Sequence, residues 1–190
     1  MSTIITDATG LDNIRLNLAG DYVLGADIDL SSVPNWVPIG DSTTPFTGTL
    51  DFSGYSISGL TISRDTTDYV GLFGYCRFND ALKIPNIKGG TVNGTVAGQD
   101  YVGLLAGYVE TTLGATGEEG TDPPVGKLID AITGAGTVDG RSKVGGILGM
   151  AKGPQFAGHS EHVKSNSYSP SVLDDWIAQI HDLTCSANVT

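Results

Sequence analysis

Cysteine, charge and long apolar runs are all scarce in this chain of 190 residues, and each scarcity excludes a class of protein. Two cysteines, Cys76 and Cys185, are too few for the disulfide scaffold of a small secreted domain. The sequence leaves their pairing open, and we expect two free, partly buried thiols. No stretch approaches the roughly 20 apolar residues of a membrane-spanning helix. Charged residues make up only 16% of the chain, which excludes a charge-rich disordered polymer.

Positive charge is particularly scarce. The chain has 10 basic and 21 acidic residues, which gives a formal net charge of −11. This charge argues against a nucleic-acid partner, because phosphates would be repelled, and it leaves cationic protein surfaces or cations as candidates. The first residues lack the basic region and apolar core of a signal peptide. We therefore expect a protein of a virion or an extracellular surface, which it reaches by lysis, by a dedicated route or within a particle; the cytoplasm is the alternative location.

Glycine, by contrast, is abundant at 27 residues, and much of it falls in a phrase that the sequence writes three times. The copies are DYVGLFGY at 68–75, DYVGLLAGY at 100–108 and SKVGGILGM at 142–150. The element GTVAG at 94–98 recurs as GTVDG at 136–140, with the offset of the later phrases (136 − 94 = 42; 144 − 102 = 42). This self-similarity predicts stacked supersecondary units that bury one another's apolar faces. The first two phrases are closer (102 − 70 = 32), so we expect the additional length to form an acidic loop at 110–126.

The repeated phrase also predicts which side chains point inward. One position is always valine, whereas the residue before it is tyrosine or lysine, and a position that accepts either is most simply on the outside. The inward set is Val70, Val102 and Val144, and the outward set is Tyr69, Tyr101 and Lys143. Stacked strands lie about 4.8 Å apart, so Tyr69 and Tyr101 are expected to stack if their coils are neighbours. Two roles stay open for this ladder: packing that stabilises the sheet, or a platform for a ligand or partner.

Glycine follows the valine in every copy of the phrase. This pattern predicts a backbone position that either has no room for a Cβ atom or adopts a positive φ. The first copy is one residue shorter than the second, VGLFGY against VGLLAGY, so a bulge or corner is expected to absorb the difference.

The rest of the repeat region predicts a helix followed by short strands. Residues 7–18 have a capping residue, Asp7 or Thr9, and apolar positions suited to a short lid over the first coil. The phrase DIDL at 27–30 alternates acidic and aliphatic residues, as a strand with one buried face does. In the turn-rich segment that follows, three large apolar residues are expected to anchor the chain inward: Trp36, Ile39 and Phe46.

The tail after residue 153 does not continue the repeat, so we divide the chain into a repeat region at 1–153 and a tail at 154–190. Within the tail, a cap, a proline at the first helical position and an apolar stripe that includes Trp176 predict an amphipathic helix at about 170–183. Two roles are open for it. It either closes the end of the stack, where strand edges would be unpaired, or docks onto another subunit or a larger assembly.

Together these phrases resemble the GLUG motif family, which is named for the sequence Gly-Leu-any-Gly and is typical of surface adhesins and secreted repeat proteins. The resemblance covers roughly residues 10–150 and keeps the family's usual order of motifs. They are GDYVL at 20–24, DIDL at 27–30, WVPIG at 36–40, PFTGTL at 45–50, ISGLTI at 57–62 and the three Val-Gly phrases. The resemblance implies an all-β fold, a right-handed parallel β-solenoid, which is displayed at a surface and is not usually catalytic. The family's Gly-Asn-Gly turn is replaced here by DFSGY at 51–55.

Because some parallel β-helices cut polysaccharides with carboxylates, the acids of the repeat region need an assignment. Asp27, Asp29 and Asp51 cluster near strands. Asp27 and Asp29 would share a face, either as catalytic groups or as hydrogen-bond acceptors of turns and strand edges. The resemblance implies the second role, since the family uses this phrase as a structural element.

Metal and partner sites have weaker signals. His159 and His162 with Glu161 form a possible metal set without a further ligand, and a solvated loop is the alternative. The loop at 110–126 contains Glu118 and Glu119, but its spacing does not match an EF-hand, which leaves a solvated loop or a partner contact. We predict no cofactor and no metal site.

The sequence thus predicts a non-enzymatic structural or adhesive surface protein, with a phage tail, fibre or decoration protein as the first hypothesis. Its partners would be other virion or surface proteins, or a receptor or glycan, and the C-terminal helix offers a route to oligomers. The partner-binding candidates are Tyr69, Tyr101, Lys143, Glu118, Glu119 and Trp176. Two alternatives are an acidic decoy that binds a cationic protein and a polysaccharide-cleaving β-helix enzyme.

Overall fold

A computed structural model describes residues 1–83, 85–111, 128–152, 180–181, 184–186 and 188–190, with the backbone alone for residues 81, 180, 181, 184 and 185. Strands predominate in these residues, and every strand pair is parallel. The predicted all-β class is therefore confirmed. None of the helices in the described ranges is long and apolar enough to cross a lipid bilayer.

The chain begins with strand β1 (Thr3–Ile5), helix α1 (Ala8–Asp12) and a 3-10 turn (Asn13–Leu16). The Asp7 carboxylate caps the helix by accepting a hydrogen bond from the Gly10 N–H at 2.7 Å. Leu11 and Ile14 are fully buried beneath it. The helix predicted at 7–18 is thus present in a shorter form.

The remaining elements are strands of 2 to 11 residues and one further 3-10 turn. They are β2 (Asp21–Leu24), β3 (Ile28–Asp29), β4 (Thr49–Asp51), β5 (Ser56–Ser63), β6 (Phe73–Arg77), the turn Ala81–Lys83, β7 (Ile87–Ala97), β8 (Asp100–Val102), β9 (Ala106–Glu110), β10 (Ile129–Asp139), β11 (Ser142–Val144), β12 (Leu148–Lys152), β13 (Ile180–His181), β14 (Thr184–Cys185) and β15 (Asn188–Val189).

Within the described ranges, these strands form three parallel sheets. The largest has the order β1-β2-β4-β7-β10-β13, and β3, β5, β14 and β15 join it beside this path. The second is β6-β9-β12, and the third pairs β8 with β11. Strand β7 pairs with β10 so that Thr95 lies opposite Thr137, which is the 42-residue offset of the sequence repeat. The repeats therefore pair with one another strand on strand.

The short first copy of the phrase is accommodated at a corner, as predicted. Val70 bridges Val102 across 32 residues, whereas Phe73 pairs with Ala106 across 33. The additional residue lies between these pairs, outside the strands. The pairing on either side is therefore undisturbed.

The core runs between the sheets and follows the predicted alternation. Ile28 and Leu30 are fully buried, while Asp27 and Asp29, which alternate with them along the chain, are exposed. The predicted anchors Trp36, Ile39 and Phe46 are all buried. Phe46 packs on two further buried rings, Phe73 at 4.6 Å and Phe78 at 6.4 Å between ring centroids. Cys76 is a free, fully buried thiol whose pKa is raised by burial.

The C-terminal helix predicted at about 170–183 falls mostly outside the described residues, as do Trp176 and the histidines His159 and His162. Two residues near its end are an exception, since Ile180–His181 form strand β13 and pair with Ile129 and Asp130 of β10. The prediction of helix was wrong for these two residues. Pairing with an available strand edge satisfies their backbone N–H and C=O groups, which outweighs the local helical pattern.

Candidate functional site

The residue before the valine has the same left-handed backbone conformation in all three copies of the repeated phrase. Tyr69, Tyr101 and Lys143 adopt left-handed φ values of 61°, 59° and 54°. The valine that follows is fully buried in the first two copies and partly buried against the core in the third. The predicted directions of these side chains are thus confirmed.

The glycine after each valine is required by space and not by a positive φ. A Cβ atom on Gly71 would lie 2.5 Å from the Gly103 carbonyl oxygen, and one on Gly103 would lie 2.6 Å from the Ile147 carbonyl oxygen. On Gly145 the distance to the Leu148 oxygen would be 2.0 Å. The sequence left two explanations open, and the structure selects the lack of room for a Cβ.

The three left-handed residues form an ordered column on the outer surface, which we call the outer column. Tyr69 stacks on Tyr101 with ring centroids 4.7 Å apart and an angle of 20° between planes. Lys143 places its Nζ atom 4.2 Å from the Tyr101 ring centroid and donates a hydrogen bond of 2.7 Å to the Tyr101 hydroxyl. This contact raises the pKa of Lys143. The column therefore combines an aromatic stack with a cation held at its end.

A second stack, the inner column, lies beside the first. Tyr75 and Tyr108 stack with centroids 4.6 Å apart, and each is only 8% exposed. Edge-to-face contacts of 5.3 to 5.8 Å join the two columns. The four tyrosines thus form one cluster in which the inner pair is buried and the outer pair is half-buried.

Sequence reasoning missed the inner column, although a signal for it was present. The first two phrases both end in tyrosine, and those tyrosines pair directly in the sheet. The third copy ends in Met150, which pairs with Tyr108. The tyrosine stack therefore stops after two copies, just as the outer column changes from tyrosine to lysine.

Ion pairs flank the cluster on both sides. Arg77 bonds to Glu110 beside the inner column and lies 5.8 Å from the Tyr75 ring centroid. Arg141 makes a two-pronged pair with Asp100, with N···O distances of 3.0 and 2.8 Å. The hydrogen bond from Arg141 lowers the pKa of Asp100. Arg141 is 65% exposed, so this pair contributes little stability and mainly fixes the direction of both side chains.

The tyrosine hydroxyls of the inner column hold their protons tightly. Burial, followed by the nearby Glu110 charge, raises the pKa of Tyr108 to about 12. Burial and a hydrogen bond with Glu110 raise the pKa of Tyr75 further. Both hydroxyls are therefore neutral hydrogen-bond donors near pH 7, and the tyrosine cluster offers a polar surface beside the charges of Lys143 and the flanking ion pairs.

The acids proposed as catalytic candidates have structural partners. Asp27 accepts hydrogen bonds from the N–H and hydroxyl of Ser56 at 2.8 and 2.9 Å. Asp29 accepts from the Ser31 N–H at 2.8 Å. These bonds lower the pKa of both carboxyls. Asp27 and Asp29 therefore act as hydrogen-bond acceptors of a turn and a strand edge, which is one of the two roles that the sequence left open.

Asp51 also has partners, since it accepts from the Ser53 N–H at 2.7 Å and lies 3.1 Å from Lys88. Two further predicted site residues, Glu118 and Glu119, lie outside the described residues, together with Trp176. No group of three or more metal-ligating side chains occurs in the part of the chain that the structure describes.

Two known proteins are similar to this chain. It is 32% identical over 159 residues to halomucin of Haloquadratum walsbyi, a match that covers 78% of this chain and 2% of halomucin. It is 37% identical over 113 residues to a protein of Evansella cellulosilytica described as a Gly-rich membrane protein, with 55% of this chain and 13% of that protein covered. The chain thus spans a small part of the length of both. No protein-family model matches it, and no solved structure matches it at a significant level.

Proposed function

We propose that this chain is a non-catalytic structural and adhesive module, a GLUG-type right-handed parallel β-solenoid that a surface protein displays. The observation that carries the proposal is the outer column. Solvent-facing tyrosines in strained backbone conformations, stacked in register and ended by a lysine, form the kind of surface on which aromatic and cationic side chains bind partners.

The architecture in this proposal is supported by the pairing of the strands. Every pair is parallel, and the offsets between successive copies, 32 to 33 residues and then 42, match the sequence repeat. Successive coils of a solenoid have this relation, because each coil contacts only its neighbours.

A surface location is supported by the two relatives. One is described as a membrane protein, and both are far longer than the matched segments. A module within a long surface chain fits these descriptions. Neither description mentions a virion, so the tail, fibre or decoration protein remains a prediction, as does an oligomer formed through a C-terminal helix.

The alternative of an acidic decoy would require a continuous stripe of carboxylates. In the described residues several acids are interleaved with cations instead, as in the pairs Asp51 with Lys88 and Asp100 with Arg141. The alternative of a polysaccharide-cleaving enzyme would use Asp27 or Asp29, and both carboxylates are committed to backbone and hydroxyl donors. We therefore favour the adhesive module.

A retention experiment tests this function. Purified protein is incubated with cells, with cell envelopes of the encoding organism and, for a phage-encoded protein, with purified virions. We expect retention that persists at ~1 M salt, where charge interactions are screened beyond about 3 Å. Tyr101→Ala should reduce retention, whereas Tyr55→Ala, which removes a tyrosine that is 37% exposed and lies outside the tyrosine cluster, should not.

Two outcomes would contradict the proposal. Retention that is lost at high salt and replaced by binding to basic proteins would support the decoy. Release of reducing ends from a polysaccharide panel, abolished by Asp29→Asn, would support the enzyme.

A further inference from the structure

A pocket of about 380 Å³ opens at the surface beside Tyr69, at the end of the outer column. Its polar and apolar walls include Tyr69, Pro38, Arg64, Asp41, Thr67 and Asp68. The volume falls within the roughly 300–1,000 Å³ that is usual for small-molecule sites. Nothing in the tyrosine cluster fills this space, although the cluster forms one of its walls.

The order of the strands shows which side of Tyr69 the pocket occupies. Ile39 bridges Phe73, and Phe73 pairs with Ala106, so the strand of Phe73 lies between the other two segments. Tyr101 belongs to the segment after Tyr69, whereas Pro38 and Asp41 belong to the segment before it. Tyr101 therefore covers one side of Tyr69, and the pocket borders the other.

The polar groups of the pocket are held in place by the fold. The Asp41 carboxylate accepts from the N–H groups of Thr43 and Thr44 at 2.8 and 2.7 Å. Asp68 accepts from the Asp100 N–H at 3.2 Å through Oδ1, and within the described residues its Oδ2 has no hydrogen bond.

Arg64 is anchored in the same way. Its Nε donates to the Trp36 carbonyl oxygen at 3.3 Å, and its two terminal amino groups have no partner in the described part of the chain. The pocket thus offers donors and acceptors on fixed side chains.

The mixture of groups selects the class of ligand. The carboxylates of Asp41 and Asp68 would repel an anion, and the guanidinium groups of Arg15 and Arg64 would repel a cation. A hydroxyl group can both donate and accept a hydrogen bond, so a neutral polyol can bond to the carboxylates and to the guanidinium groups of the pocket. The aromatic side chain of Tyr69 suits the C–H face of a ring.

We propose that this pocket binds a neutral pyranose ring of a glycan, which packs on Tyr69 while its hydroxyls bond to Arg64 and Asp68. The inference rests on the proposed adhesive function and names its ligand class. A single sugar in an open pocket should bind with a dissociation constant on the order of millimolar, given the usual affinity per atom of a small ligand.

The test is saturation-transfer NMR with defined probes at on the order of 10 mM. The probes are the methyl pyranosides of glucose, galactose, mannose and N-acetylglucosamine, with lactose, maltose and cellobiose. We expect transfer to the ring C–H protons of at least one probe. Tyr69→Ala should lower the affinity about tenfold, and Arg64→Gln or Asp68→Asn should lower it about fivefold, as loss of one hydrogen bond does.

Two controls keep the result specific. Tyr69→Phe retains the ring and should bind as the unaltered protein does, and Tyr55→Ala removes an exposed tyrosine elsewhere. Circular dichroism confirms that each variant is folded.

The proposal is overturned if no probe shows transfer, if transfer is unchanged in Tyr69→Ala, or if methyl glucuronide or glucosamine binds more tightly than every neutral probe. Retention on cell envelopes without binding of any sugar would overturn this inference alone. If the protein neither binds a sugar nor is retained on cell envelopes, the proposed adhesive function is overturned as well.

Discussion

Residues other than glycine adopt the left-handed conformation at one position of every copy of the repeated phrase. This conformation costs free energy, and its recurrence on one surface helps to identify that surface as functional. Each such residue costs roughly 1–2 kcal/mol relative to an ordinary conformation. Tyr69, Tyr101 and Lys143 all adopt it. The buried valine and the crowded glycine that follow fix the local path of the chain, so the strain is offset by the packing of neighbouring residues.

A second left-handed position, where a Cβ atom makes almost no contacts, allows the free-energy cost of the left-handed conformation to be measured by itself. Gly89 has a φ of 71°, and Ala131, at the equivalent place in β10, has a φ of 53°. A Cβ atom on Gly89 would meet nothing closer than 3.9 Å. We expect Gly89→Ala to lower the free energy of unfolding by about 1 kcal/mol and Ala131→Gly to raise it by up to about 1 kcal/mol. Urea denaturation measures both.

The two substitutions serve as each other's control, since they exchange the same pair of residues on adjacent strands. If both variants lose stability, crowding or altered strand pairing controls these positions, and the φ argument fails.

At the scale of the elements, the paired strands β6 and β9 make the fold sensitive to alkali. The native state binds the Tyr108 proton more tightly than the unfolded chain, because burial raises the folded pKa to about 12 against roughly 10 for a free tyrosine. The resulting stability is complete below about pH 10 and is lost as the pH rises through about 12. We expect the urea midpoint to fall across this interval, with a smaller fall in Tyr108→Phe.

Tyr55→Phe is the matched control, since that ring is partly exposed and lies outside the cluster. The prediction would fail if Tyr108→Phe lost stability with pH as steeply as the unaltered chain.

The elements also show what sequence reasoning can and cannot reach. Alternation and the three phrases were sufficient for the buried valines and the Tyr69–Tyr101 stack, because a period of two fixes the face of each side chain. The parallel pairing was implied only by the family resemblance. The sequence pattern at Ile180–His181 predicts a helix where the structure has a strand, because a helical pattern does not reveal that a sheet edge is available for pairing.

The candidate site was predicted in part, for a similar reason. The outer column follows from comparing copies of one phrase, whereas the pocket beside Tyr69 also needs Arg15 and Asp41, which come from unrelated turns. Their proximity depends on which segments stack, and a single sequence does not encode that order in any local pattern.

At the scale of the whole molecule, net charge is the dominant electrostatic feature. A charge of −11 repels itself most strongly in the compact state, and salt screens that repulsion. Raising NaCl from ~0.01 M to ~0.15 M shortens the screening length from about 30 to about 8 Å. We therefore expect the urea midpoint to rise, although the exposed ion pairs weaken at the same time.

Asp65→Lys provides a check, because Asp65 is exposed and the substitution brings the net charge from −11 to −9 (−11 + 2 = −9). It should reduce the dependence on salt. A midpoint that falls with added salt in both proteins would mean that ion pairs such as Arg77 with Glu110 outweigh the net repulsion.

The order of the largest sheet has a mechanical consequence. β1 pairs with β2, β2 with β4, β4 with β7 and β7 with β10, so each strand is held mainly by the one before and the one after. If the chain were pulled at its two ends, we would expect the strands of this sheet to detach one at a time and not to unfold together in one cooperative step. The 42 residues between paired positions of β7 and β10 would extend by roughly 140 Å at about 3.3 Å per residue. Such stepwise lengthening dissipates a sudden load, which would serve the adhesive function that we propose.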